Sequence, residues 1–508
     1  MITRRKAMQV LAGGMVGAPA VLSAASQAGS PAGAPAVLGG PRSPGDKPNL
    51  LFLWTDEQRA DTMAAYGNTR FRVPAMNRLA SQSVVFDRPY VTQPVCTPSR
   101  SCVMTGWWPH QSGCVRNGIS LKAVTQTVPE LVGDSAYRTA YMGKWHLGDE
   151  IFPQHGFEEW KAIEDAIYRS RYSAGRDKNA RSAYHHFLVS LGYKPDEEND
   201  FSRNFAARLP VEHSKPSFLA NEASNFILRH RAEPWILYVN FLEPHMPFAS
   251  ALDDLHSEED APLKNFPGTA LGPEPAWYKR RRGELAGAKK VKGIGPEQRA
   301  KLQRQARNYA GLCSLVDQAL NRILWTLEVT GQADNTIIVY TSDHGDMMGA
   351  HGLMAKQVMY EEAVRVPLLV RVPFLRIKLR HVAQPVSHID IVPTLMELLG
   401  RKGPDLPGRS LVPVLDGENR PDNYVHLEWT ADSSDSGEGP NGRTVVSLDG
   451  YKLVLYDSDQ SMLFDHNKDP LELNNVYGKP EYTAVQARLR KKIEEWQKQT
   501  QDSMILPA

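Results

Sequence analysis

The chain has 508 residues, of which 42% are hydrophobic and 23% charged, an ordinary composition for a soluble globular enzyme. Lys and Arg number 59 against 57 Asp and Glu, so the net charge of +2 gives no global reason to expect nucleic acid or stable membrane association. Four cysteines in so long a chain do not form a disulfide scaffold, although Cys102 and Cys114 could pair after export.

The first 48 residues are predicted to lie outside the fold. Residues 3–6 read Thr-Arg-Arg-Lys and precede an apolar stretch at 7–22, which is too short and too rich in Gly and Ala to span a membrane. Small residues follow, with cleavage expected after Ala25 or Ala28. The arginine pair indicates a twin-arginine export signal over residues 1–28, with an ordinary secretory signal as the alternative. Residues 29–48 are predicted to be a linker, and the mature protein to be periplasmic or secreted.

The next part of the chain alternates between strand and helix patterns. Short apolar runs predict strands buried on both faces at residues 49–54, 139–142, 235–241, 336–341 and 368–372. Helical spacing predicts a helix over 301–327, and Asp390 is predicted to cap a second helix over 391–399. This alternation favours an α/β fold in which helices flank a mostly parallel central sheet.

A smaller α+β subdomain is predicted to follow the α/β domain. The catalytic domain is assigned to residues 49–422, with polar insertions near 170–216 and 250–296. In residues 423–508 the pattern changes from alternating strands and helices to consecutive strands, predicted at 424–429, 444–448 and 451–456, followed by a helix at 482–497.

One cysteine stands in the strongest motif of the sequence. The chain reads Cys96-Thr97-Pro98-Ser99-Arg100 and then Thr105-Gly106. Here it resembles the sulfatase family of the alkaline-phosphatase superfamily. The resemblance implies that a formylglycine-generating enzyme oxidises Cys96 to formylglycine. The aldehyde hydrate offers one hydroxyl as nucleophile towards a sulfate ester, and the second hydroxyl allows return to the aldehyde. The resemblance also implies that Arg100 pairs with the negative charge that develops on the substrate.

A second signature follows the strand predicted at residues 139–142. The hexapeptide Gly143-Lys144-Trp145-His146-Leu147-Gly148 is similar to the family's second motif. The resemblance implies that Lys144 contacts the hydrate or the sulfate and that His146 acts as a base. An imidazole titrates near neutrality, which suits it to moving a proton.

Acidic residues end two of the predicted strands. Asp56-Glu57 follows the first strand, and Asp343-His344 follows the strand at 336–341. Ligands bind outside the carboxyl ends of strands in such sheets, and carboxylate oxygens favour Ca²⁺ or Mg²⁺. The family's metal ligands match Asp56, Asp343 and His344, with Glu57 in place of the commoner Asp. We therefore expect one divalent cation, Ca²⁺ before Mg²⁺, held by these four residues and by the modified Cys96.

Two further residues complete the predicted pocket by resemblance. His245, in Glu-Pro-His-Met-Pro, would hold sulfate and protonate the leaving oxygen, and Lys356 would hold a sulfate oxygen. A basic run at 279–282, continued by Lys289, Lys290 and Lys292, is either a solvated loop or a site for a polyanionic substrate.

The interpretation favoured by these motifs is an exported sulfatase that hydrolyses the sulfate ester of a small molecule or glycan, with a carbohydrate as the expected substrate. A phosphonate monoester or phosphodiester hydrolase with the same site is the alternative, because Asp56-Glu57-Gln58-Arg59 is similar to such members too. A non-catalytic protein that binds sulfated glycans is a third possibility, although no catalytic group is missing. Fold and motifs do not identify the substrate.

Overall fold

The computed structural model describes residues 47–263, 272–285, 295–375, 377, 380–431 and 439–508. The predicted export signal, most of the predicted linker, and Lys289, Lys290 and Lys292 lie outside these residues. The described strands are β1 Asn49–Asp56, β2 Val84–Phe86, β3 Pro89–Tyr90, β4 Arg138–Gly143, β5 Glu159–Lys161, β6 Trp235–Pro244, β7 Thr336–Ser342, β8 Leu368–Arg371, β9 His381–Val382, β10 Val386–Ser387, β11 Tyr424–Trp429, β12 Gly442–Ser447, β13 Tyr451–Tyr456 and β14 Met462–Asp465.

Helices separate most of these strands. The described α-helices are α1 Pro74–Ser81, α2 Cys96–Thr105, α3 Pro109–Ser112, α4 Val128–Val132, α5 Ala183–Ser190, α6 Arg203–Ala206, α7 Lys215–Arg229, α8 Ala276–Leu285, α9 Pro296–Val329, α10 Glu361–Val364, α11 Ile391–Leu398, α12 Val412–Leu415 and α13 Thr483–Thr500. None of the described helices is both long enough and apolar enough to cross a membrane.

The large sheet confirms the predicted α/β class. Within the described residues it has eight strands in the order β5-β4-β6-β1-β7-β8-β2-β9. The neighbours β4-β5, β4-β6, β1-β6, β1-β7 and β2-β9 are parallel. β8 runs antiparallel to both β7 and β2, so the strand predicted at 368–372 is present but reversed.

Both faces of the central strand β1 are covered. Leu51 and Leu53 belong to an apolar cluster with residues of α1, α7 and α9. Leu50, Phe52 and Trp54 belong to a second cluster, on the other face, with residues of α2, α4 and α11. Because successive side chains of a strand point to opposite faces, a strand covered on both sides must be apolar throughout.

The C-terminal part of the chain forms a separate antiparallel sheet. Its strand order is β11-β12-β13-β14, and β14 is a strand that the sequence pattern did not predict. One face packs against α13, where Leu489 and Ile493 join the cluster of Val445 and Leu453. The opposite face, with Leu427 and other residues, packs against the segments that follow β3 and β7.

The structure differs from one sequence expectation, the Asp390 cap, and shows the state of two cysteines whose pairing the sequence left open. Asp390 does not cap α11 with its side chain; its carboxylate lies 3.1 Å from Arg420 Nη1 and accepts the backbone N–H of Arg409 at 2.8 Å. The buried carboxylate is therefore neutralised by a cation rather than by the helix. Cys102 and Cys114 are separate buried thiols, so the pairing considered for them is not formed.

Candidate active site

The candidate site lies at the carboxyl ends of four adjacent strands. In the sheet order β4-β6-β1-β7, each strand leads directly into predicted site residues. Parallel strands bring their carboxyl ends to one edge of a sheet, which is where ligands bind in this architecture. These residues are Lys144 and His146 after β4, His245 after β6, Asp56 and Glu57 at the end of β1, and Asp343 and His344 after β7.

Cys96 is the first residue of α2, and its sulfur points into this edge. The Sγ atom lies 3.3 Å from His344 Nε2, 3.9 Å from Asp56 Oδ1 and 3.9 Å from Lys144 Nζ. Its side chain is buried, with 2% of the residue exposed. The structure thus brings the oxidisable sulfur, the acidic strand ends and a lysine together, as the motifs predict.

Four of the five predicted metal ligands share one cluster. Potential ligand atoms of Asp56, Cys96, Asp343 and His344 all lie within 4.8 Å of one another, and all four residues are buried. Glu57 belongs to a second group with Asp56 and His245. Its ligation of the same ion therefore stays a prediction, while the other four residues are positioned to share an ion.

The orientation of His344 fits a metal ligand. Its Nδ1 atom lies 2.9 Å from the carbonyl oxygen of Gly345, which can only accept, so Nδ1 carries a proton and Nε2 is the ring nitrogen that faces the cluster. Burial lowers the pKa of this imidazole, but Asp343 and Cys96 together raise it to about 9. Such concentrated negative charge is what a bound cation would balance, so the donor set fits a divalent ion.

Arg100 lies between two carboxylates of the site. Its Nη2 lies 2.8 Å from Asp56 Oδ2 and its Nε lies 2.9 Å from Asp343 Oδ2, with the side chain 0% exposed. Nη1 donates to the carbonyl of Lys144 and to Asn240 Oδ1. In the described structure Arg100 therefore contacts protein carboxylates, and the expectation that it also pairs with charge developing on the substrate stays a prediction.

Lys144 is a second buried cation beside Asp56. Its Nζ lies 2.5 Å from Asp56 Oδ2. Burial by itself raises the pKa of Asp56, but Lys144 and Arg100 lower it well below its usual value, so this carboxylate is ionised. Gly143 allows the backbone of β6 to approach closely here, since a Cβ atom at this position would lie 1.8 Å from the carbonyl oxygen of Asn240.

Glu57, Lys356 and His245 form the other side of the site. Lys356 Nζ lies 3.1 Å from Glu57 Oε1, and His245 Nε2 lies 3.5 Å from Glu57 Oε2. Burial raises the pKa of Glu57 to about 7, against the attraction of Lys356. Burial also lowers the pKa of His245 well below its usual value, and its Nδ1 donates to the Met246 carbonyl. The free protein therefore holds His245 neutral, with the lone pair of Nε2 facing Glu57.

His146 is fixed in a strained backbone conformation. Its φ is 59°, a value that non-glycine residues rarely adopt and that is often found at functional sites. Glu150 accepts its backbone N–H at 2.7 Å, and its carbonyl accepts the Thr97 hydroxyl at 2.9 Å. Burial, followed by the charges of Lys144 and Arg100, lowers the pKa of His146 well below its usual value, so the imidazole is neutral.

The insertion predicted near residues 170–216 contributes side chains that the motifs did not reveal. Just before it, Tyr168 packs on His146 with ring centroids 4.6 Å apart, and Arg171 Nη1 lies 3.1 Å from His146 Nε2. The only signal in the sequence was the run of aromatic and basic residues at 168–171, and such a run more often lies in a solvent-exposed loop than at an active site. These contacts arise from folding of the insertion over the end of β4, which local spacing does not encode.

The basic run at 279–282 is partly structural. Arg281 donates to the carbonyl of Lys356, and Arg282 pairs with Glu274 at 2.6 Å and donates to the His351 carbonyl at 2.7 Å. These two arginines thereby brace the loop that carries Lys356. The predicted polyanion site over this run stays a prediction, and two of its charges already have partners within the protein.

Comparison with known proteins agrees with this geometry. The family model "Sulfatase" matches residues 48–401, and the model "N-sulphoglucosamine sulphohydrolase, C-terminal" matches residues 349–499. The first match covers more than half of the chain and spans every predicted site residue. The chain therefore belongs to the sulfatase family and is a sulfuric ester hydrolase. The family implies a bound metal ion, and the cluster of Asp56, Cys96, Asp343 and His344 offers it a site.

Individual relatives support the same family. An N-acetylglucosamine-6-O-sulfatase from Bacteroides thetaiotaomicron is 29% identical over 505 aligned residues, covering 90% of this chain and 87% of the relative. A protein solved in complex with its substrate D-glucosamine-2-N,6-O-disulfate is 26% identical, with a TM-score of 0.69 and coverage of 90% and 99%. The phosphonate monoester hydrolase of Silicibacter pomeroyi, 24% identical with a TM-score of 0.74 and coverage of 89% and 96%, shares the fold.

Proposed function

We propose that this protein hydrolyses a sulfate ester of a carbohydrate, using formylglycine made from Cys96 beside a divalent cation. The observation that carries the proposal is the position of Cys96 Sγ, 3.3 Å from His344 Nε2 and 3.9 Å from both Asp56 Oδ1 and Lys144 Nζ. A plain thiol in this place could bind an ion, but it lacks the second hydroxyl through which an aldehyde hydrate returns to the aldehyde. An oxidised side chain in the same place would face both the ion and the substrate.

The two groups implied by the family would supply the reactive chemistry. A formylglycine hydrate offers a hydroxyl nucleophile that the thiol does not, and a bound cation withdraws charge from oxygen atoms beside it. Asp56, Asp343, His344 and the side chain at position 96 would hold the ion. Carboxylate oxygens favour Ca²⁺ or Mg²⁺, whereas an imidazole ligand is more typical of transition metals. Elemental analysis of the purified protein identifies the ion.

The protein's own residues bind the anion and move protons. Lys144, which is buried, and Lys356, which is partly buried, present ammonium groups to a sulfate that arrives between them, and Arg100 keeps the carboxylates in place. Preorganised cations in a water-poor site stabilise negative charge strongly, because they need not reorient. His146, held neutral, can accept a proton at a ring nitrogen, and His245 can deliver one to the leaving oxygen once it is protonated at Nε2.

Relatives favour a sugar as the alcohol part of the ester. The relative from Bacteroides thetaiotaomicron is named as an N-acetylglucosamine-6-O-sulfatase, and another, from Formosa agariphila, as an ulvan-active sulfatase. One solved relative holds a disulfated glucosamine. A sulfated sugar, free or within a glycan, is therefore the substrate class to test first.

Export and maturation complete the proposal. The Arg-Arg pair before the apolar stretch at residues 7–22 supports transport to the periplasm or outside the cell, and a formylglycine-generating enzyme would act on Cys96 beforehand. Fractionation of producing cells, with mass measurement of the mature N-terminus, tests this part. Unprocessed protein retained in the cytoplasm would reject it.

The test of the reaction compares Cys96→Ala with a matched Cys313→Ala control. Cys313 is a buried thiol within α9, in the core cluster on the opposite side of β1 from α2. Mass spectrometry of the peptide that contains residue 96 should show an aldehyde in place of the thiol. Sulfate release from sulfated sugars and aryl sulfates should vanish in Cys96→Ala and persist in Cys313→Ala.

The outcomes separate the three functions considered. Faster turnover of a phosphonate ester than of its matched sulfate ester would favour the phosphonate monoester hydrolase. Tight glycan binding without turnover, by protein with verified aldehyde and metal, would favour the binding protein. Unchanged sulfate release in Cys96→Ala would overturn the proposed mechanism outright.

A further inference from the structure

The insertion after β5 brings one arginine to the edge of the active site. A 3₁₀-helix, Ala166–Arg171, places Tyr168 on the ring of His146 and Arg171 beside it. Arg171 Nη1 lies 3.1 Å from His146 Nε2, and the guanidinium carbon lies 5.7 Å from the centre of the Tyr168 ring. Arg171 is exposed, so its charge faces solvent next to the buried site.

Arg171 differs from its neighbours in having no carboxylate partner among the described residues. Arg169 and Arg181 both pair with Asp200, and Arg176 pairs with Asp149. The contacts of Arg171 are instead a neutral imidazole and the face of a tyrosine. An arginine held in place without an anion is available to bind one from solution.

The other cations of the site are already balanced within the protein. Lys144 faces Asp56, and Lys356 faces Glu57. These lysines surround the place where the scissile sulfate would arrive. Arg171 lies nearer the surface than these lysines, on the solvent side of His146. The rest of the substrate, beyond its scissile sulfate, would extend in this direction. Burial, Lys144 and Arg100 lower the pKa of His146 most, and Arg171 adds a smaller like-charge effect that a bound anion would relieve.

We propose that Arg171 binds a second anionic group, a carboxylate or a further sulfate, on the sugar that carries the scissile sulfate. This inference rests on the proposed function and narrows its substrate class to sugars with at least two negative charges. A guanidinium suits both anions, because its planar donors can engage two oxygen atoms at once. Arg171 is then a specificity-determining residue, and it can also influence His146 by contact.

The test compares three sulfated sugars that share the scissile position. One carries no other charge, one also carries a carboxylate, and one carries a second sulfate. We expect Arg171→Ala to lower kcat/KM for the doubly charged sugars by about 10- to 100-fold relative to the singly charged one, the size of a lost hydrogen bond to a charged group. Arg171→Lys should keep part of the preference. Lys178→Ala, which removes an exposed charge from the same insertion, is the matched control.

Comparing ratios removes any general effect that reaches the reaction through His146. Equal decreases in kcat/KM for all three sugars would overturn the proposal, since Arg171 would then act only on hydrolysis of the scissile sulfate, which the three sugars share. A loss confined to one doubly charged sugar would support it and identify the anion. Dissociation constants of the three sugars from Cys96→Ala protein, with and without Arg171→Ala, test the subsite when no turnover occurs. A retained binding preference without turnover in the unaltered enzyme would reject the proposed function but not the subsite.

Discussion

Replacing Arg100 with Met removes a fully buried guanidinium from between two carboxylates. The guanidinium lies 2.8 Å from Asp56 Oδ2 and 2.9 Å from Asp343 Oδ2, and it packs 4.8 Å from the Trp54 ring. Met retains much of the apolar volume, whereas removing one partner of a buried ion pair costs about 3–5 kcal/mol because the remaining charge stays buried. Lys144 still faces Asp56, so the loss falls mainly on Asp343.

The conservative change Arg100→Lys tests the geometry separately from the charge. A single ammonium can approach one carboxylate but cannot bridge both, so roughly one charged hydrogen bond, about 1.5–3 kcal/mol, should be lost. Urea unfolding of chelator-treated protein, followed by tryptophan fluorescence, measures both variants. Arg490→Met is the control, because Arg490 forms an exposed pair with Glu494 that is worth about 0.5 kcal/mol or less.

The expected order of stability is therefore Arg490→Met above Arg100→Lys above Arg100→Met. Added Ca²⁺ should recover part of the loss in Arg100→Met, because a cation that binds only the folded state stabilises it and the variant has gained negative charge. If Arg100→Met unfolds at the same urea concentration as Arg490→Met, the bridging role assigned to Arg100 is wrong.

Three further changes probe other parts of the molecule. Burial raises the pKa of Glu57 from 4.5 to about 7, so this carboxyl ionises at lower pH in the unfolded chain than in the folded protein. The metal-free protein should therefore lose stability as the pH rises from 4.5 to 7. Over this range the free energy of unfolding of Glu57→Gln should rise relative to that of the unaltered protein by on the order of a few kcal/mol. Burial lowers the pKa of His110, but Glu428, 2.6 Å away, raises it above its usual value. Their pairing thus stabilises below pH 6.5 and is lost as the pH rises through the folded pKa, so His110→Gln should lower Tm more at pH 6 than at pH 9. Lys356→Ala should lower kcat/KM for sulfate release by about 10²–10³-fold, the usual loss for one preorganised charge at a reaction centre.

Each of these predictions has its own check. If the difference in free energy of unfolding between Glu57→Gln and the unaltered protein, measured with urea, stays constant between pH 4.5 and 7, the buried-carboxyl argument is wrong. A decrease in Tm for His110→Gln that grows with pH would reverse the sign derived for its ion pair. Lys301→Ala, which changes an exposed lysine on α9, controls for Lys356→Ala and should leave sulfate release unchanged.

The sequence was informative where a single local feature dictates the outcome. The continuous apolar runs predicted four of the parallel strands, because a strand covered on both faces is apolar throughout and these runs are too short for buried helices. Asp56, Asp343 and His245 could be placed together because each lies at or just after the end of a strand, and parallel strands bring these positions to one edge. Cys96, Arg100 and Lys356 were identified by their motifs instead. Helix α13 and strands β11 to β13 were likewise visible in local periodicity, whereas the four-residue strand β14 was too short to stand out.

The sequence alone was therefore enough for the fold class, for the edge of the sheet that carries the site and for the motif residues that meet there, but not for Tyr168 and Arg171. The tertiary structure alone decided which partner each charge takes: Arg100 turns inward to two carboxylates, Glu57 faces Lys356, and Arg171 reaches His146 from an insertion. The physical reason is that strand and helix periodicities are local, while the partner of a buried charge is set by whichever oppositely charged group the folded chain brings within a few ångströms.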